Sequence, residues 1–574
     1  MQNTKSLRTT FLAGAALFAL THAAIAQDAT TTGAPRKHRH HLDRLDLLEQ
    51  ELHTQAEALK KQSAEIDSLK AQLGQQTAAA APAQPVTPQQ FSELQNKVDQ
   101  VVAGKAEEKK DGATVKFTRY SASQKTKTVP TISSADGRYA FQPFVLLQGD
   151  YASYSKGQPL PQSGTNNLKS SGENFRRARI GFQGIIDKDF SYSFVADFGG
   201  AGGDETYQAY AGPNTGTTKN TGGTSLTPYT ASTASGTGAR LYNAWFGYKG
   251  FLAPFTFKAG VMSPPANLGD TTQSDDLLFN ERPSPSQLSR GLGGDDGRES
   301  AGFIGNGTWW NASLFLTGDT FGKGPLIYPA TTYGGSQEAL LGRAAFRPWY
   351  DTDTNFNIHL GANYTYVVHP AEVTSTANPG VTSYPITFAD RPELRVDNVT
   401  FINTNGINAK NAYAGGVEAA ASYGPFLLQG ENFWYGIERN NPAAGITNPT
   451  FSGWYVEGSW VFWGAEGHLY DPSNASFRRP SPDAPFDPLA GNWGAWEIAG
   501  RYSSVDFDHD VTSTNAADRV FGGKQSIETV GLNFYPNDIL RFVLDYQSVF
   551  LRNIGALNNN GHYGTVSIRT QIAF

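Results

Sequence analysis

Beyond residue 136 the chain carries 20 arginines and only 9 lysines, and many of the arginines fall in segments where polar and apolar residues alternate. In NFRRARIGF, Arg177 and Arg179 interleave with Ala178, Ile180 and Phe182, while Arg176 sits at the margin of the run. Arg343 and Arg347 in GRAAFRP, Arg501 in WEIAGRY, Arg541 in LRFVLDY, Arg569 in SIRTQIAF and Lys258 in FTFKAGV keep the same step. A guanidinium offers paired donors in a fixed fork that matches an oxyanion. Gathered on one side of a sheet, such groups can replace part of an anion's hydration shell. Glu497 and Asp545 lie on the same faces and offer the competing outcome, in which arginines are neutralised and only stiffen a wall.

Other chemistry finds little support. The chain has no cysteine, which removes disulfides, thiolate metal sites and a Cys nucleophile. No G-x-S-x-G elbow occurs in a strand-to-helix context, and the ten histidines are scattered. His359 falls on the polar face of a strand and reads as a solvated side chain; His468, His509 and His562 fall near loops. There is no G-x-x-x-x-G-K-[ST] phosphate loop. His38, His40 and His41 stand in a charged tail, and Asp295-Asp296 in RGLGGDDGRES marks a turn that offers at most a stray Ca²⁺ contact. The reading is therefore of a protein without catalytic residues, cofactor or resident metal.

The elements that must position the arginines are strands, because a period of two sends successive side chains to opposite faces. Gly564, Val566, Ile568, Thr570, Ile572 and Phe574 form one face of the last segment, opposite Tyr563, Thr565, Ser567, Arg569 and Gln571. DFSYSFVADF and FNIHLGANYTYVV alternate in the same way. With 61 Gly, 35 Phe, 25 Tyr and 10 Trp but a hydrophobic share of only 39%, the composition excludes a multi-span helical transporter and suits an all-β protein. At about 25 to 30 residues per strand and connection, residues 137–574 make about 14 to 18 strands, an even number in bacterial barrels. The expectation is a sixteen-stranded antiparallel transmembrane β-barrel. An arginine facing lipid at mid-bilayer costs about 2–4 kcal/mol, so parity sends the alternating arginines into the lumen.

The rest of the chain is organised differently. Lys5 and Arg8, the apolar run Phe11 to Leu20 and the small residues Ala24 and Ala26 predict a cleaved signal peptide over residues 1–26. Leu45, Leu52, Leu59, Ile66 and Leu73 are spaced by seven, with a second seam at Leu48, Gln55, Gln62 and Leu69. This predicts an α-helical coiled coil over residues 42–73, parallel and trimeric. Residues 74–136 read as an Ala/Pro-rich and charged linker with a short helix at Phe91, Leu94, Val98 and Val101. The formal charge of −6 divides into +3 up to residue 136 and −9 beyond it, which is not the balance of a nucleic-acid binder.

The strings NFRRARIGFQG, LYNAWFGYKGF, FKAGV, LLFNERPSP, RPELRV, GVEAAASYGPFLLQGE, FSGWYVEGSWVFWGAE, GAWEIAGRYSSVDF and GLNFYPND, in this order before the terminal strand, resemble the phosphate-selective porins O and P. The resemblance implies a homotrimeric sixteen-stranded outer-membrane barrel with an arginine ladder conducting phosphate and a third external loop folded into the pore. By position that loop follows Val261, and its Glu281-Arg282-Pro283 resembles the family's loop-end motif, which adds Arg282 to the pore-lining set. The chain departs from the family in having few lysines here, and Asp270, Asp275 and Asp276 in the loop itself. Three functions follow: an anion-preferring porin in outer-membrane lipid, passing solutes such as phosphate; a general, non-selective porin; or an envelope tether whose coiled coil engages peptidoglycan from the periplasm.

Overall fold

The computed structural model describes residues 114–118, 129–156, 168–199, 218–220, 223–225, 240–320, 337–374, 382–397, 399–554 and 559–574. The signal peptide, the coiled coil and most of the linker lie outside the described residues. Sixteen strands form the wall: β1 Ala140–Lys156, β2 Ser171–Ile186, β3 Phe190–Asp197, β4 Arg240–Leu252, β5 Phe255–Met262, β6 Arg298–Asn306, β7 Trp310–Thr320 and β8 Glu338–Asp351. They continue as β9 Phe356–His369, β10 Ile407–Tyr423, β11 Phe426–Arg439, β12 Thr450–Trp463, β13 Ala495–His509, β14 Val520–Tyr535, β15 Leu540–Ile554 and β16 Asn559–Ala573. Each pairs antiparallel with its sequence neighbours, and β16 returns to β1 from Tyr563 opposite Lys156 to Ala573 opposite Leu146. The sheet is therefore the closed barrel that the alternation predicts, with no open wall strand. A hairpin of Thr114–Thr118 and Val129–Ser133 joins the foot of β1 where Ile132 faces Phe141.

Side-chain parity follows the sequence reading. On β16 and β15, Val566, Ile568, Leu544 and Tyr546 are exposed outward, while Ser567, Arg569, Asp545 and Gln547 are buried inward. The outward surface carries a belt of rings near one end of the strands, with Trp309 stacked on Phe346, Phe426 on Trp460 and Trp496 on Phe534. A continuous apolar exterior bounded by aromatics belongs in hydrocarbon with its interfacial girdle; in water it would be a large aggregation-prone patch.

Alternating strand direction places the connections β1–β2, β3–β4 and so on at one end and β2–β3, β4–β5 and so on at the other. The second end has short turns, such as 187–189, 307–309 and 424–425, with one exception in the β12–β13 connection, 464–494. Part of that connection folds into the barrel. There it meets the β5–β6 connection 263–297, which enters from the opposite end and is joined by the β9–β10 connection 370–406. The β5–β6 connection contains α1 Leu268–Thr271, capped by the Asn267 side chain on the Asp270 N–H, and α2 Ser284–Gly293, which opens on proline. Proline suits a first helical turn because its missing N–H is unsatisfied there anyway. Leu288 and Leu292 of α2 share an apolar core with Phe388, Val396, Tyr435, Phe451 and Phe507, so this inner segment is packed against the wall.

The outward faces make a direct prediction. Leu544→Arg, set between the outward Leu532 and Ile568, should lower the unfolding free energy by about 2–4 kcal/mol, whereas Ser548→Arg, where the outward face turns polar beside Glu528 and His562, should cost about 1 kcal/mol or less. Denaturant unfolding of the vesicle-reconstituted protein measures both.

Candidate functional site

The wall grips residues 274–281 of the inner segment largely through backbone carbonyls. Gln148 donates to the Ser274 carbonyl at 3.1 Å, and Gln571 donates to that of Asp275 at 3.1 Å. Arg541 reaches the carbonyls of Asp275 and Leu278 at 3.3 and 3.0 Å, and both terminal nitrogens of Arg501 reach that of Glu281 at 3.0 Å. Arg569 takes the Asn280 carbonyl, and Asp545 accepts the Asn280 N–H at 2.9 Å. Buried backbone groups must be paired, and here wall side chains supply the partners that secondary structure does not. Gly531 allows the close approach: a Cβ there would stand 2.6 Å from an Asp545 oxygen and 3.0 Å from the Phe279 ring.

One carboxylate enters the densest group of guanidiniums. Arg176 donates to Glu281 through Nε at 2.6 Å and Nη2 at 3.0 Å, Arg569 Nη2 lies at 3.0 Å, and Arg177 Nη2 lies at 3.5 Å. Arg569 also grips Asp150 in a fork at 2.7 and 2.6 Å. Arg177 donates to Gln148 at 2.7 Å, and its Nε has no hydrogen-bond partner among the described residues. Burial alone raises the Glu281 pKa, but Arg176, Arg177 and Arg569 outweigh it and hold the carboxyl below the usual glutamate range. A depressed carboxyl gives stability that is present above its unfolded value and lost as pH falls through the folded one. The pairing therefore outlasts the pH at which free glutamates protonate.

Arg176 is the residue that strict parity misplaced. The β1–β2 register shifts where Gln148 faces Arg177 and Gly149 faces Phe175, leaving Arg176 as the extra residue of a bulge. Phe175 is exposed outward while Arg176 and Arg177 are both buried. Bulges re-aim side chains in this way, and nothing in the alternation of NFRRARIGF announces one.

The remaining predicted residues divide by partner. Arg179 pairs with Asp197 at 3.0 Å and Asp296 at 2.6 Å, its guanidinium 3.6 Å from the Tyr242 ring centroid. Arg343 pairs with Glu418 at 2.7 Å and takes the carbonyls of Asn474 and Ala475 at 2.9 and 2.8 Å. Arg501 adds Glu393 at 3.2 Å and Glu457 at 3.1 Å. Neutral partners hold the others. Arg541 binds carbonyls and Asn533, Arg347 binds Asn357 beside the Tyr350 and Tyr470 rings, and Arg282 binds the carbonyls of Gly269, Asp270 and Thr272. Lys258 stands 4.3 Å over the Trp245 ring, with no hydrogen-bond or carboxylate partner among the described residues.

The acids expected to neutralise the arginines take their hydrogen bonds from other groups, although Asp545 also lies in the field of Arg501, Arg541 and Arg569. Glu497 accepts from His468, Asn533 and Tyr535, and Asp545 accepts from the Asn280 backbone. His359, expected to be solvated, is buried between Glu418 at 3.1 Å and the Tyr470 hydroxyl at 2.9 Å. The aspartates of the inner segment are also occupied: Asp270 pairs with Arg290, and Asp275 pairs with Arg479 at 2.9 Å. Arg290 on α2 and Arg479 in the β12–β13 connection carried no alternation signal. Asp295 and Asp296, read as a turn with at most a stray ion, both pair with Arg290.

Residues 147–574 match the family model of the phosphate-selective porins O and P. No curated protein matches the chain. Similar solved structures include the anion-selective porin of Comamonas acidovorans, 11% identical over 76% of this chain and 100% of that one, with a TM-score of 0.40. The outer membrane channel DcaP of Acinetobacter baumannii is 11% identical over 76% and 97%, TM-score 0.40. A loop-deletion form of OmpT of Vibrio cholerae is 9% identical over 76% and 100%, TM-score 0.40.

Arg569→Met should destabilise the protein by about 3–5 kcal/mol, because it leaves the buried Asp150 carboxylate without its fork. Adding Asp150→Asn should recover most of that loss, and a double-mutant cycle by denaturant unfolding gives the coupling.

Proposed function

The chain belongs to the phosphate-selective porin O and P family, and on that footing we propose that it forms an outer-membrane channel for passive diffusion of small hydrophilic solutes, preferring anions such as phosphate. The observation that carries the preference is the partner set of the inward cations. Arg541, Arg347 and Arg282 are held by carbonyls and amides, and Lys258 by a ring face. A dipolar partner orients a cation without cancelling its charge, so these side chains leave a positive field inside a low-dielectric wall, where fields reach further than in water. Arg177, Arg179, Arg343, Arg501 and Arg569 complete the proposed pore-lining set, with Arg176 joining them through the bulge. Their forks exchange between carboxylate and oxyanion partners.

Bacterial barrels keep short turns on the periplasmic side. β1 begins at the short-turn end, which supports a periplasmic N-terminal region. The heptads at Leu45 to Leu73 support a homotrimer. They also favour a second role, a tether between outer membrane and peptidoglycan, which operates alongside the channel.

Reversal potential across a planar bilayer under a KCl gradient tests the reading. A potential on the chloride side, with phosphate blocking chloride current, is expected; a value near zero or on the potassium side overturns the anion preference and leaves a general porin. Deleting residues 42–73 should release the protein from sedimented peptidoglycan while leaving conductance unchanged. Retained co-sedimentation would remove the tether.

A further inference from the structure

We infer that the Glu281 carboxylate is a tethered occupant of an oxyanion site, one that any permeant oxyanion must displace. The site is the group of guanidiniums formed by Arg176, Arg177 and Arg569. This inference deepens the anion-channel reading and rests on it.

Glu281 is held at two independent points. Its carbonyl is fixed by both terminal nitrogens of Arg501 at 3.0 Å, while its side chain reaches across to guanidiniums on β2 and β16. The backbone anchors of Leu278, Asn280 and Glu281 do not involve the carboxylate, so the side chain can swing away with the inner segment still docked. Among the described residues, the carboxylate still ion-paired to this group of three arginines is Asp150, on Arg569.

The carboxylate fills this site incompletely. Arg177 contacts it only at 3.5 Å, and the Nε of Arg177, fully buried, has no partner among the described residues. A free oxyanion with further oxygens could engage that nitrogen as well as the Arg176 fork and the Arg569 Nη2 that Glu281 now occupies. The class of ligand follows from the occupant. Two oxygens on one central atom match the guanidinium fork with two parallel bonds, whether the anion is a planar carboxylate or a tetrahedral phosphate, and a halide has a single acceptor atom to offer it. Small organic acids therefore belong to the permeant class beside phosphate. The tethered competitor also explains how a site this rich in arginine can still let its ligand go, since conduction needs binding that is reversible as well as favourable.

The test uses full-length protein in planar bilayers, with chloride current blocked by inorganic phosphate or by acetate. Glu281→Gln should lower the half-blocking concentration of both by about tenfold or more, and Glu281→Asp, which withdraws the carboxylate by one carbon, should give an intermediate value. Asp275→Asn removes the same charge from the same segment but pairs with Arg479, outside the site; it should shift the reversal potential without tightening block. The inference is overturned if wild type is anion-selective and blocked by phosphate while Glu281→Gln and Glu281→Asp are blocked no more tightly. It is equally overturned if Asp275→Asn tightens block as much as Glu281→Gln, because the effect is then one of overall charge. A wild-type channel that is neither anion-selective nor blocked by phosphate overturns the anion-channel reading itself.

Discussion

Everything in this barrel depends on hydrocarbon refusing charge on one side of a closed sheet. Because strand side chains alternate, an apolar exterior forces the opposite parity inward, and with it Arg179, Arg343, Arg501, Arg541 and Arg569. A closed wall then has to satisfy these cations from within its own circumference. The chain does so by folding connections inward from both ends, so the same constraint that produces the arginine face also produces the segment that packs on it. The partners are of two physical kinds. Carboxylates at Asp150, Asp197, Glu281, Glu393 and Glu418 cancel charge, whereas the carbonyls of residues 269–281 only orient it. The lumen's field is set by that division more than by the number of arginines.

The bulge in β2 shows how finely the division is placed. Without the extra residue, one of Arg176 and Arg177 would face lipid at a cost of about 2–4 kcal/mol. With it, both converge on a single carboxylate delivered from 105 positions further along the chain. Closure supplies the third guanidinium, since Arg569 lies on the strand that returns to β1. The first two strands and the last one are thus joined through side chains inside the seam as well as through their backbone ladders.

How far the sequence carries follows from the same physics. Period-two patterning is local, so the lipid face and the inward direction of the eight alternating cations could be read directly, while the count of sixteen strands rests on length and the even-number rule. What could not be read depends on distance in sequence. Glu497 and Asp545 share a face with arginines, yet they bind His468 and the Asn280 N–H, because parity fixes a face and says nothing of which inward segment arrives opposite it. Asn280 meets Ser567 across 287 positions, and the β12–β13 connection reaches Arg343 through the carbonyls of Asn474 and Ala475. A carbonyl partner leaves no mark on residue type. Arg176 escaped for the opposite reason: a one-residue irregularity breaks the pattern on which the assignment rests.

The interior is held differently from the wall, and that difference bears on any permeation path. Wall strands are locked by continuous backbone ladders, and moving one breaks pairing on two sides. The inner segments lie within that ring, attached by side-chain forks, caps and an apolar core around Phe388, Leu288 and Phe507. Contacts of that kind break one at a time, and a guanidinium fork released by one oxygen pair can accept another without passing through an unpaired state. On the channel reading, a path for solute opens through exchange among inner partners, at the scale of single side chains, while the sheet that keeps lipid out stays whole.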